Sequence, residues 1–293
     1  MYKNVLENSS GYHINTIELP ILGRSVDALP LTTGQVKTLC KAAILGLEEF
    51  TKCVIELISV LTTVDVDELT IFDFLCLITS IRANSFTEAD RFTIQCEECS
   101  EKFTAAVNLY VLSDLFTNVD IESFSKEITT DGITLQLGLP KVRDLLHFDH
   151  DKYANYFIQG VVLQKNLIEP FDSLPTEARF TLIDSLPKTA VFTEEFYSYL
   201  HHVRDEMKKI QSVLSCTECP WQSQPHITYD TILEYHQHNF ANLLEQVLQQ
   251  EKFLLKHSSE QICSINQILY LDFCTYVNML VHDLESEQQQ PTQ

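Results

Sequence analysis

Four cysteines stand in two pairs of identical spacing, Cys96-x-x-Cys99 and Cys216-x-x-Cys219. A Cys-x-x-Cys turn aims two thiolates at one point, and two such turns complete a tetrahedral zinc site. The residues between the cysteines are Glu97 and Glu98 in the first pair, and Thr217 and Glu218 in the second. Acidic neighbours disfavour a free thiolate, which counts against a redox pair. A thioredoxin-like motif would also need a βαβ setting. A divalent cation, by contrast, anchors the negative charge of four thiolates. The expected ligands are therefore Cys96, Cys99, Cys216 and Cys219 around one structural zinc. Four sulfurs close the coordination shell and leave no corner for a water nucleophile. Cys216 lies 117 positions beyond Cys99, so the metal would clasp two distant segments rather than fold a compact finger.

Other side chains offer weaker chemistry. Cys40, Cys53, Cys76, Cys263 and Cys274 fall in apolar helical stretches and read as small buried hydrophobes. His226, His236 and His238 follow the second pair and could replace a thiolate. His147 and His150, with Asp149 and Asp151, could bind a metal or simply end a solvated helix. His201 and His202 have Asp205 and Glu206 nearby, which a surface helix face explains as well. There is no Gly-rich phosphate loop, nucleophile elbow or His-Glu-x-x-His helix. The expectation is a protein that is not an enzyme. A zinc- or thiol-dependent enzyme of unknown substrate is the alternative.

The elements that must position these residues read as α+β, mostly α-helical. A small zinc-ribbon-like β region, about residues 91–140, is stapled by the two pairs. Residues 15–22 alternate apolar and polar positions as an entry strand does. Thr32 and Gln35 have capping-box spacing before a helical stripe through Val36, Leu39, Cys40, Ala43 and Leu47. Helix is expected over 50–61, after a break near Gly46, and again over 69–81. Strands are expected at 91–95 and 103–109, on either side of the first pair. Another β region, 128–138, turns at Asp131-Gly132, a strong hairpin signal. Lys141–Phe148 is expected to start a helix after Pro140, and helical periodicity dominates 153–210. A helix is expected over 229–256. Ser258 and Gln261, at capping-box spacing, open a last helix to about Glu285. Residues 1–257 form the expected zinc-stapled core domain and 258–285 a C-terminal helical extension, packed on the body or partly exposed. Residues 286–293 are expected to be a disordered tail.

The charge balance is 20 basic against 41 acidic residues, a net of −21. Residues 61–140 carry about −10 of it and 221–293 about −7. Nucleic-acid binding rests on neutralising phosphates with Lys and Arg, so DNA and RNA are not expected partners. No basic patch suggests a transcription factor. The most apolar stretches, 54–61 and 71–81, are too short to span a bilayer, and Asp73 interrupts the second. No membrane is expected as partner, and no signal peptide is expected in the polar opening residues 1–11.

Several segments together resemble the T-even-type phage baseplate hub family. They are Leu29–Leu39 (LPLTTGQVKTL), Leu69–Ser85 (LTIFDFLCLITSIRANS), the first Cys-x-x-Cys pair, Asp131–Pro140 (DGITLQLGLP) and a second pair ahead of a helix. The resemblance runs from about Ile17 to Ala241. Pro220-Trp221 stands where a Gly often follows the second pair, and residues beyond about Leu244 look like an extension. Members of that family serve as hub subunits or hub assembly factors of contractile tails. The resemblance thus implies a phage protein of the infected host's cytoplasm. Its implied partners are other baseplate hub or tail assembly proteins, a homo-oligomer is compatible, and a place in the virion is open.

Overall fold

The computed structural model describes residues 14–86, 89–147, 149–163, 166–167, 171, 174–222, 227–258 and 260–289. The first hairpin joins β1 (Asn15–Leu19) to β2 (Arg24–Ala28), paired from Asn15↔Ala28 to Leu19↔Arg24. Ile17, Leu19, Val26 and Ala28 face the core, as the two-residue period of a half-buried strand requires. Helix α1 (Thr33–Leu45) starts at the expected capping box: Thr32 Oγ1 accepts from Gln35 N, and Gln35 Oε1 accepts from Thr32 N. Gly46, at φ 127°, breaks it from α2 (Leu47–Leu61) in a backbone region that favours glycine.

Helix α3 (Ile71–Ser85) is buried almost all round, including Phe72, Phe74, Leu77 and Ile81, which marks it as the central helix. Asp73 inside it is fully buried. Its carboxylate accepts from the amides of Ile21 and Leu22 and from Thr70 Oγ1, tying the first hairpin to α3. Burial raises its pKa, while those hydrogen bonds oppose the rise.

Next come the hairpin β3 (Asp90–Gln95) and β4 (Lys102–Val107), then α4 (Leu109–Asp114). Four antiparallel strands follow in the order β5 (Lys126–Thr130), β6 (Ile133–Leu137), β7 (Ile158–Leu163) and β8 (Asn166–Leu167). Asp131 and Gly132, both at positive φ, make the β5–β6 turn. Helices α5 (Thr176–Ser185), α6 (Lys188–Val191) and α7 (Glu194–Met207) lead to a short hairpin, β9 (Gln211–Ser212) with β10 (Ile227–Thr228). The chain ends in α8 (Ile232–His257), α9 (Ile262–Gln267) and α10 (Tyr270–Gln289).

Helix α8 lies along α1. The ion pair of Lys37 with Glu251, 2.5 Å apart and almost buried, crosses that contact. Below it, Arg82 donates to Asp90 (2.7 Å) and to His236 Nδ1 (3.0 Å), and Tyr235 hydroxyl donates to Asp90. Because Nδ1 of His236 accepts from Arg82, its Nε2 carries the proton and donates to Thr79 Oγ1 at 3.0 Å. The C-terminal helices dock on this body. Thr33 N donates to Ile268 O and Tyr270 N to Leu31 O, and Ile265, Tyr270, Phe273 and Val277 are buried.

The architecture is the expected α+β, mostly α-helical, with small antiparallel sheets. Five local expectations are corrected. The 153–210 stretch is not helical throughout, since β7 and β8 lie within it. The segment IQGVVL pairs with β6, Gly160 opposite Gln136, and a Cβ at Gly160 would push the end of the Gln136 side chain aside, 2.2 Å from its Oε1. The segment after Pro140 forms only a 3-10 turn, Val142–His147. Gln261, not Ser258, is the N-cap of α9, and the last helix is split at Ile268–Leu269, where Thr32 bridges to Leu269. Helix α10 reaches Gln289, so residues 286–289 are helical rather than disordered; 290–293 lie outside the described residues.

Candidate metal centre

Each Cys-x-x-Cys pair sits at the tip of an antiparallel hairpin, and the two tips are built alike. In the first, the β3–β4 ladder runs to Gln95↔Lys102, and Cys96 N donates to Glu101 O at 2.8 Å. In the second, Ser215 bridges to Gln222, and Cys216 N donates to Trp221 O at 3.0 Å. Both bonds run from the first cysteine to the carbonyl five residues on. The first turn closes through Ser100, held at φ 61°, whose amide donates to Cys96 O at 2.9 Å. Amides also point at the sulfurs: Cys99 N lies 3.5 Å from Cys96 Sγ, and Glu218 N lies 3.4 Å from Cys216 Sγ.

The two tips meet. Cys96 Sγ is 3.6 Å from Cys219 Sγ, Cys99 Sγ is 3.7 Å from Cys216 Sγ, and all four sulfurs lie within 4.8 Å of one another. A disulfide needs about 2.05 Å, so these are four separate thiols. A metal–sulfur bond of about 2.3 Å in a tetrahedron puts neighbouring sulfurs about 3.8 Å apart, which fits both short distances. The donor set can therefore hold a metal ion. Phe103 of β4 packs edge-on against Trp221, ring centroids 6.3 Å apart, and seals the contact between the hairpins. Cys96 is buried, Cys216 and Cys219 are half-buried, and Cys99 is exposed.

The electrostatics also favour a cation. Burial would raise the Cys96 pKa, but the amides of Cys99 and Glu98 and the neighbouring thiols outweigh it and bring the group to about 7. For Cys219 the Trp221 amide pulls down, but burial and the other three thiols push the group up to about 12. One sulfur is thus ready to ionise and a second resists, because crowded thiolates repel until a cation shares the site. The Glu98 carboxylate, 3.9 Å from Cys219 Sγ, adds to that negative field.

All four expected cysteines come together. Among the described residues no histidine joins them. His236 is fully buried between Thr79 and Arg82, His238 is exposed on α8, and His226 lies outside the described residues. The side chains of His147 and His150 also lie outside them. His201 and His202 are exposed, and their neighbours Asp205 and Glu206 pair with Lys208 and Lys209. Of the remaining cysteines, Cys40 and Cys76 are buried as expected, Cys53 and Cys274 are half-buried, and Cys263 is exposed, which corrects the expectation for that one. Sequence reasoning missed the β9–β10 ladder under the second pair. The β-branched residues on either side, Val213 and then Ile227-Thr228, were the available signal.

Comparison with curated proteins and with solved structures gives no match. Comparison with protein families gives a match over residues 12–234 to the family described as T4 bacteriophage base plate protein. The matched span contains both cysteine hairpins and ends in the first turn of α8, before the C-terminal helices. It covers most of the chain, and with the order of segments and the paired hairpins it establishes that the chain belongs to the T4-type phage baseplate protein family.

Proposed function

We propose that the protein is a baseplate hub subunit or hub assembly factor that works through protein contacts and carries one structural zinc on Cys96, Cys99, Cys216 and Cys219. The observation that carries this is the convergence of four thiols from two distant hairpins in a baseplate-family chain. The chemistry a bound zinc supplies there is cross-linking. All four corners are taken by sulfur, which supports a structural rather than a catalytic metal. Cys96 and Cys99 fix one hairpin and Cys216 and Cys219 the other, so the metal holds the middle of the chain to the segment leading into α8. Membership of the family implies contacts with other phage tail proteins. Among the described residues no helix is long and apolar enough to cross a membrane. The acidic surface disfavours nucleic acid. The place of work is the infected host's cytoplasm during assembly.

The test is a pulldown of tagged full-length protein from infected cells, with mass spectrometry and metal analysis of one sample. The expected result is hub proteins in the eluate and one zinc per chain. Metal-free protein lacking hub partners would overturn both parts of the proposal. Mass spectrometry of purified virions decides whether the protein stays in the finished baseplate.

A further inference from the structure

Away from the cysteines, a cleft of about 970 Å³ opens between α7, the root of the β9–β10 hairpin, the start of α8 and the N-terminal turn of α3. Its floor is apolar. Leu75, Phe157 and Met207 line it, each of them buried. Tyr153 and Tyr229 add aromatic faces with one hydroxyl each, and a mostly apolar concavity of this size receives apolar groups.

Charge is confined to the rim. Arg204, exposed on α7, makes no side-chain hydrogen bond or ion pair among the described residues. One turn later Lys208 is already paired with Asp205 at 2.7 Å. Asp230, in the 3-10 turn that leads into α8, also lines the cleft. An unpaired guanidinium beside a mostly apolar floor is free to take an anionic partner. We propose that this cleft receives a short apolar segment of a partner tail protein, and that a carboxylate on that segment pairs with Arg204.

Complementarity decides the occupant. A carboxylate gains a charge-assisted, bidentate partner in Arg204. A carboxylate beside Asp230 would be repelled, so the segment presents a donor group there. A second copy of this chain is a poor occupant, because two bodies of −21 repel one another. The cleft is also tied to the cysteines. Gln211 and Thr228, which line it, are the paired root residues of the hairpin that carries Cys216 and Cys219. The clasp at the tip therefore sets one wall of the cleft. The partner class rests on the assembly reading above; the apolar and anionic character of the ligand does not.

Two measurements on the full chain test this. The first uses the anionic dye 1-anilinonaphthalene-8-sulfonate and its uncharged analogue N-phenyl-1-naphthylamine. Both should bind the native protein. Arg204→Glu, at an exposed position, should weaken the anionic dye about tenfold and leave the neutral one unchanged. Equal binding of the anionic dye by both proteins would overturn the role of Arg204. The second places a benzophenone side chain at Gln211 in infected cells and sequences the cross-linked peptide. The expected peptide comes from another tail protein and has apolar residues beside an Asp, a Glu or its own C-terminus. Its synthetic copy should bind at least tenfold less to Arg204→Glu, and replacing its acid by Lys should restore that binding. A cross-link to a second copy, to lipid or to nothing would overturn the proposal. The zinc content and hub co-purification of the same sample show separately whether the assembly reading has failed.

Discussion

Replacing Phe273 with alanine asks whether the C-terminal helices belong to the core. Phe273 on α10 is fully buried, 6.0 Å from the ring of Tyr270, which in turn lies 4.8 Å from Phe86 at the end of α3. Truncating a buried phenylalanine to alanine costs about 3–5 kcal/mol, from lost transfer energy and the cavity left behind. Unfolding entropy of about 2.1 cal/mol/K per residue gives about 0.6 kcal/mol/K for a chain of 293 residues. The melting temperature should therefore fall by about 5–8 °C. Met279, on the same helix but 60% exposed, is the control; its alanine variant should stay within about 0.5 kcal/mol of the parent. Differential scanning calorimetry of the metal-loaded full chain reads both. If Phe273→Ala melts within a degree of the parent, α10 is not docked as described. Deleting residues 258–293 is a blunter probe. It removes Ile265, Tyr270, Phe273 and Val277 together, at about 1.5–3 kcal/mol each, against a total stability of about 5–15 kcal/mol.

Purified protein should contain one zinc per chain by elemental analysis, and Cys96→Ser or Cys219→Ser should release it and lower the melting temperature; a folded, metal-free chain with unchanged melting would end the staple idea. His236 is held well below its ordinary value of 6.5, first by burial and then by Arg82, so below pH 6.5 the unfolded chain binds a proton that the folded chain refuses. Stability should then drop as pH falls from about 6.5, by up to about 1.4 kcal/mol per pH unit, and a urea midpoint that stays flat between about pH 7 and 5 would refute this. Asp73 shifts the other way, raised by burial, so it favours the fold as pH falls through its own range and cannot produce that loss. No binding to duplex DNA is expected at about 150 mM salt, and a submicromolar dissociation constant in a fluorescence anisotropy titration would show that the charge had been misjudged.

Where local chemistry decided the structure, the sequence was legible. The Thr32–Gln35 cap, the break at Gly46, the Asp131-Gly132 turn and the strands around Cys96 all depend on residues a few positions apart. The four cysteines were legible for the same reason, since each pair is a complete local device. What stayed hidden depends on distant contacts. The segment 158–163 becomes a strand because β6 offers it a ladder. The split at Ile268–Leu269 arises where the chain turns its backbone to Leu31 and Thr33, more than two hundred residues upstream. No short-range pattern encodes either. The cleft beside Arg204 was invisible for that reason too, since its walls come from five separate stretches of the chain.

The 117 positions between Cys99 and Cys216 also set a schedule. At about 5–20 residues per second, a ribosome that has just made Cys99 needs roughly 6–23 s to reach Cys216. Throughout that interval the nascent chain carries half a site, two thiols with nothing to complete their coordination. A chain that stops early, or whose second hairpin fails to form, can never complete the tetrahedron. Capture of the proposed zinc would thus register that the stretch from Cys96 to Cys219 has been synthesised and folded back on itself, which would set copies that carry both hairpins apart from those that stop short of the second.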